Sequence, residues 1–238
     1  MNTDSNKHTY LFAAIMVITV AFVLSFTSES LKELKVDNIK KEKMQNILFA
    51  AGINVSRDES EELYTQYIIE ELSLTNNGDI DNSVSAFNIN LALEIKKDIN
   101  NQRFPLYVAN IDDNRYYIIP LRGNGLWNAI WGYMALKEDV NTIKGVSFGH
   151  QAETAGLGAE ITEDWFTNSF VDEKILNDSG DFVGVYVTKT NNDPENTDKN
   201  DNEVDAISGA TITGDGVADM IKERLENYLP YFNNISNE

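Results

Sequence analysis

The sequence predicts an α+β fold, with a mixed sheet and flanking helices in one domain that follows a single membrane-spanning helix. Twenty uncharged residues, Thr9 to Ser28, lie near the N-terminus. Beyond them, β-rich runs and helix-like runs follow one another without regular strand–helix–strand alternation. A hydrophobic content of 42% and an aromatic content of 10% are sufficient for a packed core.

The uncharged run follows a short tail, residues 1–8, and fills residues 9–28 with "TYLFAAIMVITVAFVLSFTS". At about 1.5 Å per residue, such a helix crosses a hydrocarbon core of roughly 30 Å. A cleaved signal peptide is the alternative. The run is long for a signal peptide, and no small-x-small cleavage site follows it. We therefore expect an uncleaved transmembrane helix.

The next segment, residues 29–57, is predicted to be a membrane-proximal helix and a linker, because apolar residues recur there at helical spacing. Gly52 is the expected stop of that helix. The main domain is predicted over residues 58–238. Its first element, "DESEELYTQYIIEEL" at 58–72, predicts a helix with acidic residues in the first turn, as the helix dipole favours.

The rest of the domain is predicted to contain strands, one short helix, a polar loop and a final helix. Strands are expected between about 83 and 120, around the polar turn "IDDN", and again over 141–150 and 182–188. A short helix is expected within 164–177 and a polar loop over 190–203. The final helix, near 215–229, has one apolar face formed by Val217, Ile221, Leu225, Tyr228 and Leu229.

Composition excludes several classes of function. The formal net charge is −19, and no lysine or arginine cluster occurs outside the lysines near residue 40, so we expect no nucleic-acid partner. The absence of cysteine excludes thiolate metal sites, cysteine-ligated iron–sulfur clusters and thiol catalysis within this chain. Two histidines, His8 and His150, cannot form a histidine-rich metal site. We predict no metal site, and a redox role would need an organic cofactor.

The stretch "DAISGATITGDGV", which begins at Asp205, allows two interpretations. Ser208 or Thr211 could cap the last helix, a contribution of about 1 kcal/mol. Alternatively, the helix N-terminus could favour a phosphate, with Gly209 and Ala210 leaving space beside the Thr211 hydroxyl. The residues alone leave both interpretations open.

Two other stretches are rich in glycine. "HQAETAGLGAEI", from His150, lacks the third glycine of a dinucleotide fingerprint, but its backbone could approach a flat ligand with Leu157 as an apolar face. "GNGLWNAIWGYMAL", from Gly123, predicts a tight bend before Trp127, followed by core packing of Trp131 and Tyr133. Nothing in the sequence fixes Glu153 and Glu160 as an acid/base pair, and we assign no catalytic residue.

Taken in order with the helix "NILFAAGI", these stretches resemble the C subunit of the sodium-translocating NADH:quinone oxidoreductase family over nearly the whole chain. The most specific element, Asp205-x-x-Ser208-Gly209-Ala210-Thr211, looks like the flavinylation motif of FMN-binding domains. The resemblance implies that Thr211 carries FMN through a phosphoester bond made by a separate flavin transferase.

The same resemblance implies a set of cofactor-binding residues. At the phosphate end it implies Asp205, Ser208, Gly209 and Ala210. Beside the flavin ring it implies Glu153, Thr154, Gly156, Leu157 and Gly158, with Gly125, Leu126 and Trp127 as another wall. Lys189 is expected to offer a positive charge near the phosphate or the flavin N1. The chain departs from the family at Ala155, where proline is usual, and at Gly214, where serine is usual.

The resemblance further implies an electron relay in the bacterial inner membrane, with NADH oxidation and quinone reduction on other membrane subunits. The flavin domain would then lie on the outer, periplasmic side. The lysines that follow the span weakly favour the opposite orientation: Lys32, Lys35, Lys40, Lys41 and Lys43. Two alternatives are the flavin subunit of the Rnf ferredoxin:NAD oxidoreductase complex and a membrane-anchored binding module without a cofactor.

Overall fold

The first helix, α1 (Asn6–Ser30), covers the whole predicted span. A computed structural model describes residues 5–235 and divides the chain into two units, Met1–Lys43 and Met44–Glu238. Of the predicted tail, residues 1–4 lie outside the described residues. No residue of α1 is buried, and the helix is long and apolar enough to cross a membrane.

Helix α2 (Lys32–Ala50) ends where the sequence predicts. Gly52 has a φ of +86°, and the N–H groups of Gly52 and Ile53 donate to the carbonyls of Phe49 and Leu48, both at 2.9 Å. This is a Schellman ending, in which a left-handed glycine closes the helix. The part of α2 from Met44 onward belongs to the larger unit, which therefore begins before the predicted boundary at residue 58.

The predicted helix over 58–72 is correct only in its first half. Helix α3 (Ser60–Tyr67) is followed at once by strand β1 (Ile68–Leu74). The two β-branched residues that open β1 favour strand; Ile68 pairs with Ala109 of another strand, and Ile69 lies at the register shift before Glu70. Tertiary pairing thus ends the helix earlier than the charge pattern indicated.

The segment before the main strands holds short helical turns where strands were expected. It contains 3₁₀ turns at Ala86–Asn88 and Ile99–Asn101 and the short helix α4 (Leu91–Glu94). Asn90 caps α4 by accepting a hydrogen bond from the backbone N–H of Ala92 at 3.0 Å. The expectation of strands from about residue 83 is therefore wrong up to residue 103.

The main sheet has five antiparallel strands in the order β1-β2-β3-β4-β5. The last four are β2 (Phe104–Ile111), β3 (Asn114–Asn124), β4 (Ala129–Leu136) and β5 (Ile143–His150). The predicted "IDDN" turn joins β2 to β3, and both of its aspartates have positive φ, as a type I′ hairpin turn requires. The α+β class is confirmed.

The remaining elements are short until the last helices. They are a 3₁₀ turn at Gly158–Thr162, α5 (Asp164–Ser169), β6 (Tyr186–Val187), β7 (Glu203–Val204), α6 (Thr211–Glu226) and α7 (Leu229–Ile235). Among the described residues, the only parallel strand pairing joins β6 to β7, outside the main sheet. The strand predicted over 182–188 shrinks to β6 because the chain bends before it, where Val183 and Gly184 both donate to the carbonyl of Ile175 at 3.0 Å.

Both faces of the sheet are covered, because successive side chains of a strand point to opposite faces. On one face the predicted apolar side of α6, from Val217 to Leu225, packs with Leu121 and Met134. On the other face the end of α2 and helix α3 cover Ile118 and Tyr133. Each large apolar side chain buried this way stabilises the fold by about 1.5–3 kcal/mol. Tyr133 is buried as predicted, and Trp131 is partly buried.

Candidate functional site

The start of α6 is shaped by its backbone and not by a side-chain cap. Gly209 has a φ of +73°, and the Ala210 N–H donates to the Ile207 carbonyl at 3.0 Å. Ala210 is the N-cap residue, no side chain caps the helix, and Thr211 is the first helical residue. The expectation that Ser208 or Thr211 is the N-cap is therefore wrong. The turn places Ser208 before the N-cap position and Thr211 inside the helix.

The helix start offers several unused donors. The first intrahelical bond runs from the Gly214 N–H to the Ala210 carbonyl at 2.9 Å. Within residues 5–235, the N–H groups of Thr211, Ile212 and Thr213 have no acceptor, and the exposed Thr211 hydroxyl has no hydrogen-bond partner. Such groups at the positive end of a helix dipole favour an anion.

The two threonines of "SGATIT" have different environments. Thr211 is exposed, whereas Thr213 is only 1% exposed and its hydroxyl donates to Oε2 of Glu153 at 2.7 Å. Ser208, three residues before Thr211, is also exposed. The structure therefore leaves Thr211 as the one accessible threonine hydroxyl in the first turn of α6.

Glu153 brings three separate segments together. Its carboxylate is buried in the loop that follows β5, and Oε1 accepts from the Trp127 backbone N–H at 2.9 Å. Burial raises the pKa of this carboxyl, but hydrogen bonds from Thr213 and from the backbone at Trp127, Asn128 and Leu126 lower it further, so the net pKa lies below the usual value. Glu153 is ionised at neutral pH.

Two of the predicted glycines make room for this carboxylate. A Cβ on Gly158 would lie 2.5 Å from Glu153 Oε2, and a Cβ on Gly125 would lie 2.6 Å from Oε1. The predicted bend at Gly125 is present, closed by its N–H donating to the Asn128 carbonyl at 2.8 Å. Gly125 and Gly158 are thus explained by their approach to one buried side chain.

The segments that meet at Glu153 carry exposed apolar side chains. They are Leu126, Trp127, Leu157 and Ile212, with exposed fractions of 46%, 65%, 40% and 59%. A Cβ on Gly209 would lie 2.8 Å from Leu157 Cδ2, which places that leucine against the motif loop. Apolar side chains exposed together beside an open helix start suit a flat apolar ligand with an anionic end.

The other predicted residues of the glycine loop hold its backbone. The Thr154 carbonyl accepts from the N–H groups of Leu157 and Ala159, both at 3.1 Å. Gly156 has a φ of +74° and open space around it. Glu160 accepts from Trp165 Nε1 at 3.3 Å, whereas the Glu153 carboxylate accepts from Trp127 and Thr213, so the two carboxylates have different partners.

Asp205 and Lys189 flank the polar loop 190–203. Asp205 Oδ1 accepts from the backbone N–H of Asn192 at 3.0 Å and so holds the start of the polar loop 190–203. Its Oδ2 is buried with no hydrogen-bond partner among the described residues. Lys189 is exposed just before that loop, and its contact with a phosphate stays a prediction.

Sequence reasoning did not identify Thr213 and Ile212. The spacing of "ATIT" contained a signal for Thr213, since residues two apart on a helix lie on nearly opposite sides. An exposed Thr211 therefore required a Thr213 that faces the protein. Within residues 5–235, no group of three or more His, Cys, Asp or Glu residues is placed to hold a metal ion.

Comparison with known protein families adds independent information. A family model described as an FMN-binding domain matches residues 125–226, a range that contains all three segments meeting at Glu153. The C subunit of the Na(+)-translocating NADH-quinone reductase from Haemophilus ducreyi is 27% identical, covering 93% of this chain and 90% of the relative. The C subunit from Neisseria meningitidis serogroup B is 37% identical over 134 residues, which are 55% of this chain and 50% of the relative.

Solved structures give the same result. The crystal structure of NqrC from Shewanella oneidensis is 24% identical and shows a similar fold, with a TM-score of 0.69 and coverage of 84% of this chain and 99% of that chain. The crystal structure of the Na(+)-translocating NADH-quinone reductase C subunit from Parabacteroides distasonis is 36% identical, with a TM-score of 0.75 and coverage of 84% and 96%. This chain therefore belongs to the family of the C subunit of the Na(+)-translocating NADH-quinone reductase.

Proposed function

We propose that this chain is an electron-transfer subunit of a sodium-translocating NADH:quinone oxidoreductase, and that it carries FMN through a phosphoester bond to Thr211. One observation carries the proposal. An exposed threonine hydroxyl without a hydrogen-bond partner among the described residues stands at a helix start with three unused N–H groups, inside the range matched by the FMN-binding model.

The residues at the helix start fit a phosphate ester. The ester oxygen would be Thr211 Oγ1, and the remaining phosphate oxygens would accept from the open N–H groups of the first turn. Ser208, Gly209 and Ala210 are small and leave space beside the ester. Thr213 is unsuited to attachment because its hydroxyl is buried and bonded to Glu153.

The apolar residues around the helix start fit the ring of the cofactor. Leu126, Trp127 and Leu157 are exposed, and each belongs to a segment fixed by Glu153 or by the turn of Thr154. When bound, FMN supplies the electron-carrying chemistry that a cysteine-free chain lacks. The protein holds the ring, limits its motion and keeps it attached through the ester.

We further infer that α1 anchors the chain in the bacterial inner membrane, with the flavin domain on the periplasmic side. The length and apolar character of α1 support an anchor, and the relatives are by name subunits of a reductase. The partners would be the other membrane subunits, which hold the NADH and quinone sites, and a flavin transferase during maturation. The lysines after the span favour the opposite orientation, so accessibility labelling of cells is the direct test of sidedness.

Mass spectrometry of the full chain, produced together with a flavin transferase, tests the flavin attachment. We expect a mass increase equal to FMN less one water, on the peptide that contains Thr211. Thr211→Ala should abolish the increase and unfold within about 0.5 kcal/mol of the wild type, because Thr211 is exposed and does not cap the helix. An adduct that persists in folded Thr211→Ala, or a wild-type chain without adduct, would refute the assignment.

A further inference from the structure

One buried carboxylate connects segments that are far apart in the sequence. Glu153 lies in the loop after β5, Trp127 in the turn between β3 and β4, and Thr213 in the first turn of α6. The carboxylate bonds to the other two at 2.9 and 2.7 Å. Among the hydrogen bonds of residues 5–235, these are the side-chain bonds that join the turn to the helix start.

The two carboxylate oxygens of Glu153 accept hydrogen bonds from different segments. Oε1 faces the backbone of the turn, where Trp127 donates, and Oε2 faces the Thr213 hydroxyl. Hydrogen bonds to a charged acceptor are about twice as strong as neutral ones. The lowered pKa of Glu153 has the same origin, since the donors around it favour the charged form over the desolvation cost.

The bond to Thr213 also fixes how α6 is rotated about its axis. With 3.6 residues per turn, residues two apart are separated by about 200° around the helix. Since Thr213 points inward to Glu153, Thr211 points to solvent, as its exposure shows. Losing the bond removes the constraint on the first turn of α6 on the side opposite the Thr211 hydroxyl, while the apolar side further along the helix stays packed on the sheet.

We propose that Glu153 is the positioning residue of the site: its carboxylate holds the turn of Trp127 and the first turn of α6 in the arrangement that presents Thr211. This rests on the proposed function only for the role of Thr211 as the flavin acceptor. The two hydrogen bonds of Glu153, which we call the clamp, are present in the chain without cofactor. The clamp is therefore measurable before any flavin is attached.

Two substitutions compare a side chain that keeps the size of Glu153 and both hydrogen bonds with one that removes them. Glu153→Gln keeps the size, with the amide oxygen facing the turn and the NH₂ donating to the Thr213 oxygen. Glu153→Ala removes both bonds and leaves the donors of the turn unsatisfied. Glu160→Gln is a matched control, because it makes the same chemical change seven residues later at a carboxylate bonded to Trp165.

The first measurement uses the full chain without flavin transferase, in detergent. Amide hydrogen exchange at Trp127 should be at least about tenfold faster in Glu153→Ala, which is the effect of losing one charge-assisted hydrogen bond. Glu153→Gln should recover most of the protection, and Glu160→Gln should match the wild type. If Glu153→Ala does not fold, Thr213→Val replaces it, with faster exchange expected at Gly214, whose N–H makes the first hydrogen bond of α6.

The second measurement adds the flavin transferase and follows attachment by mass and the midpoint potential of the product. Attachment at Thr211 should be about tenfold slower in Glu153→Ala and largely rescued in Glu153→Gln. The product of Glu153→Gln should have a higher midpoint potential than those of the wild type and Glu160→Gln, since a nearby negative charge opposes reduction. Wild-type exchange and attachment in Glu153→Ala would overturn the proposal. A wild-type chain that never accepts flavin refutes the proposed function instead, and the exchange data still decide whether Glu153 is the clamp.

Discussion

A second buried carboxyl, Glu173, occupies a very different environment from Glu153. Its side chain is fully buried, Oε1 accepts from Asn196 Nδ2 at 2.9 Å and lies 3.4 Å from Lys199 Nζ. Its Oε2 has no hydrogen-bond partner among the described residues. Burial raises the pKa of Glu173 to about 7, aided by the negative charge of Asp201 and opposed by Asn196 and Lys199.

The raised pKa of Glu173 predicts that the stability of the protein depends on pH. The folded pKa of Glu173 lies above the unfolded value of 4.5, so the folded state binds the extra proton between these values. The stabilisation of the folded state by this bound proton is complete below about pH 4.5 and is lost as the pH rises through 7. Over that range we expect this group to lower the free energy of unfolding by about 1–3 kcal/mol.

Urea unfolding at pH 5 and pH 8 tests this expectation. Glu173→Gln should reduce the loss of stability between the two pH values, while the exposed Glu203→Gln should leave the wild-type slope unchanged. Equal pH slopes in the wild type and Glu173→Gln would mean that Glu173 has an ordinary pKa in the folded protein.

At the scale of elements, the two helix ends discussed above are shaped by backbone geometry and not by side-chain caps. α6 begins after a left-handed Gly209 with open N–H groups, and α2 ends in a left-handed Gly52, where the carbonyls of Phe49 and Leu48 are satisfied. The open end is where we propose that a ligand completes the helix. The closed end lies within the larger unit, where Ile47 and Leu48 are fully buried.

The α2 ending predicts a specific order of stabilities. Gly52→Ala should destabilise the protein by about 1–2 kcal/mol, because an L-residue at positive φ is strained. The added Cβ itself meets only the flexible end of Lys144, at 3.1 Å. Gly52→Asn should recover part of the loss, since asparagine tolerates this conformation. Thermal unfolding of the three proteins checks the order, and an unchanged melting temperature for Gly52→Ala would contradict it.

At the scale of the whole molecule, each of the two units has a distinct character. The smaller unit is largely helix α1, whose apolar side chains are all exposed. The larger unit, Met44–Glu238, contains the five-stranded sheet, both apolar clusters and every residue of the proposed site. A chain divided this way has one part suited to lipid and one part with its own core.

This division predicts that residues 44–238 fold without the first helix. We expect the fragment to be soluble in water and to unfold in one cooperative transition, because Met44, Ile47 and Leu48 remain to cover the sheet. The full chain should stay in the membrane fraction after a high-salt wash. If expression of the full chain yields a water-soluble protein that has lost its N-terminal segment, α1 is a cleaved signal and not an anchor.

Much of the fold was predictable because it depends on local patterns. Uncharged length identified α1, helical spacing and a glycine identified α2, and the β-rich runs identified β2 and β3. The prediction failed where pairing partners decide the outcome. The segment from Ile68 became strand because β2 pairs with it, and the segment at 83–103 has no strand partner in the main sheet.

By itself, the sequence determined the family resemblance, the candidate acceptor Thr211 and the apolar and glycine residues around it, since these depend on residue types in a fixed order. Only the tertiary structure decided what those residues do for one another. Thr211 is open and Thr213 is occupied, because a carboxylate sixty residues away in the chain reaches one hydroxyl and not the other. Spacing along the chain does not encode that distance, and it exists only after β5, the turn of Trp127 and α6 have packed together.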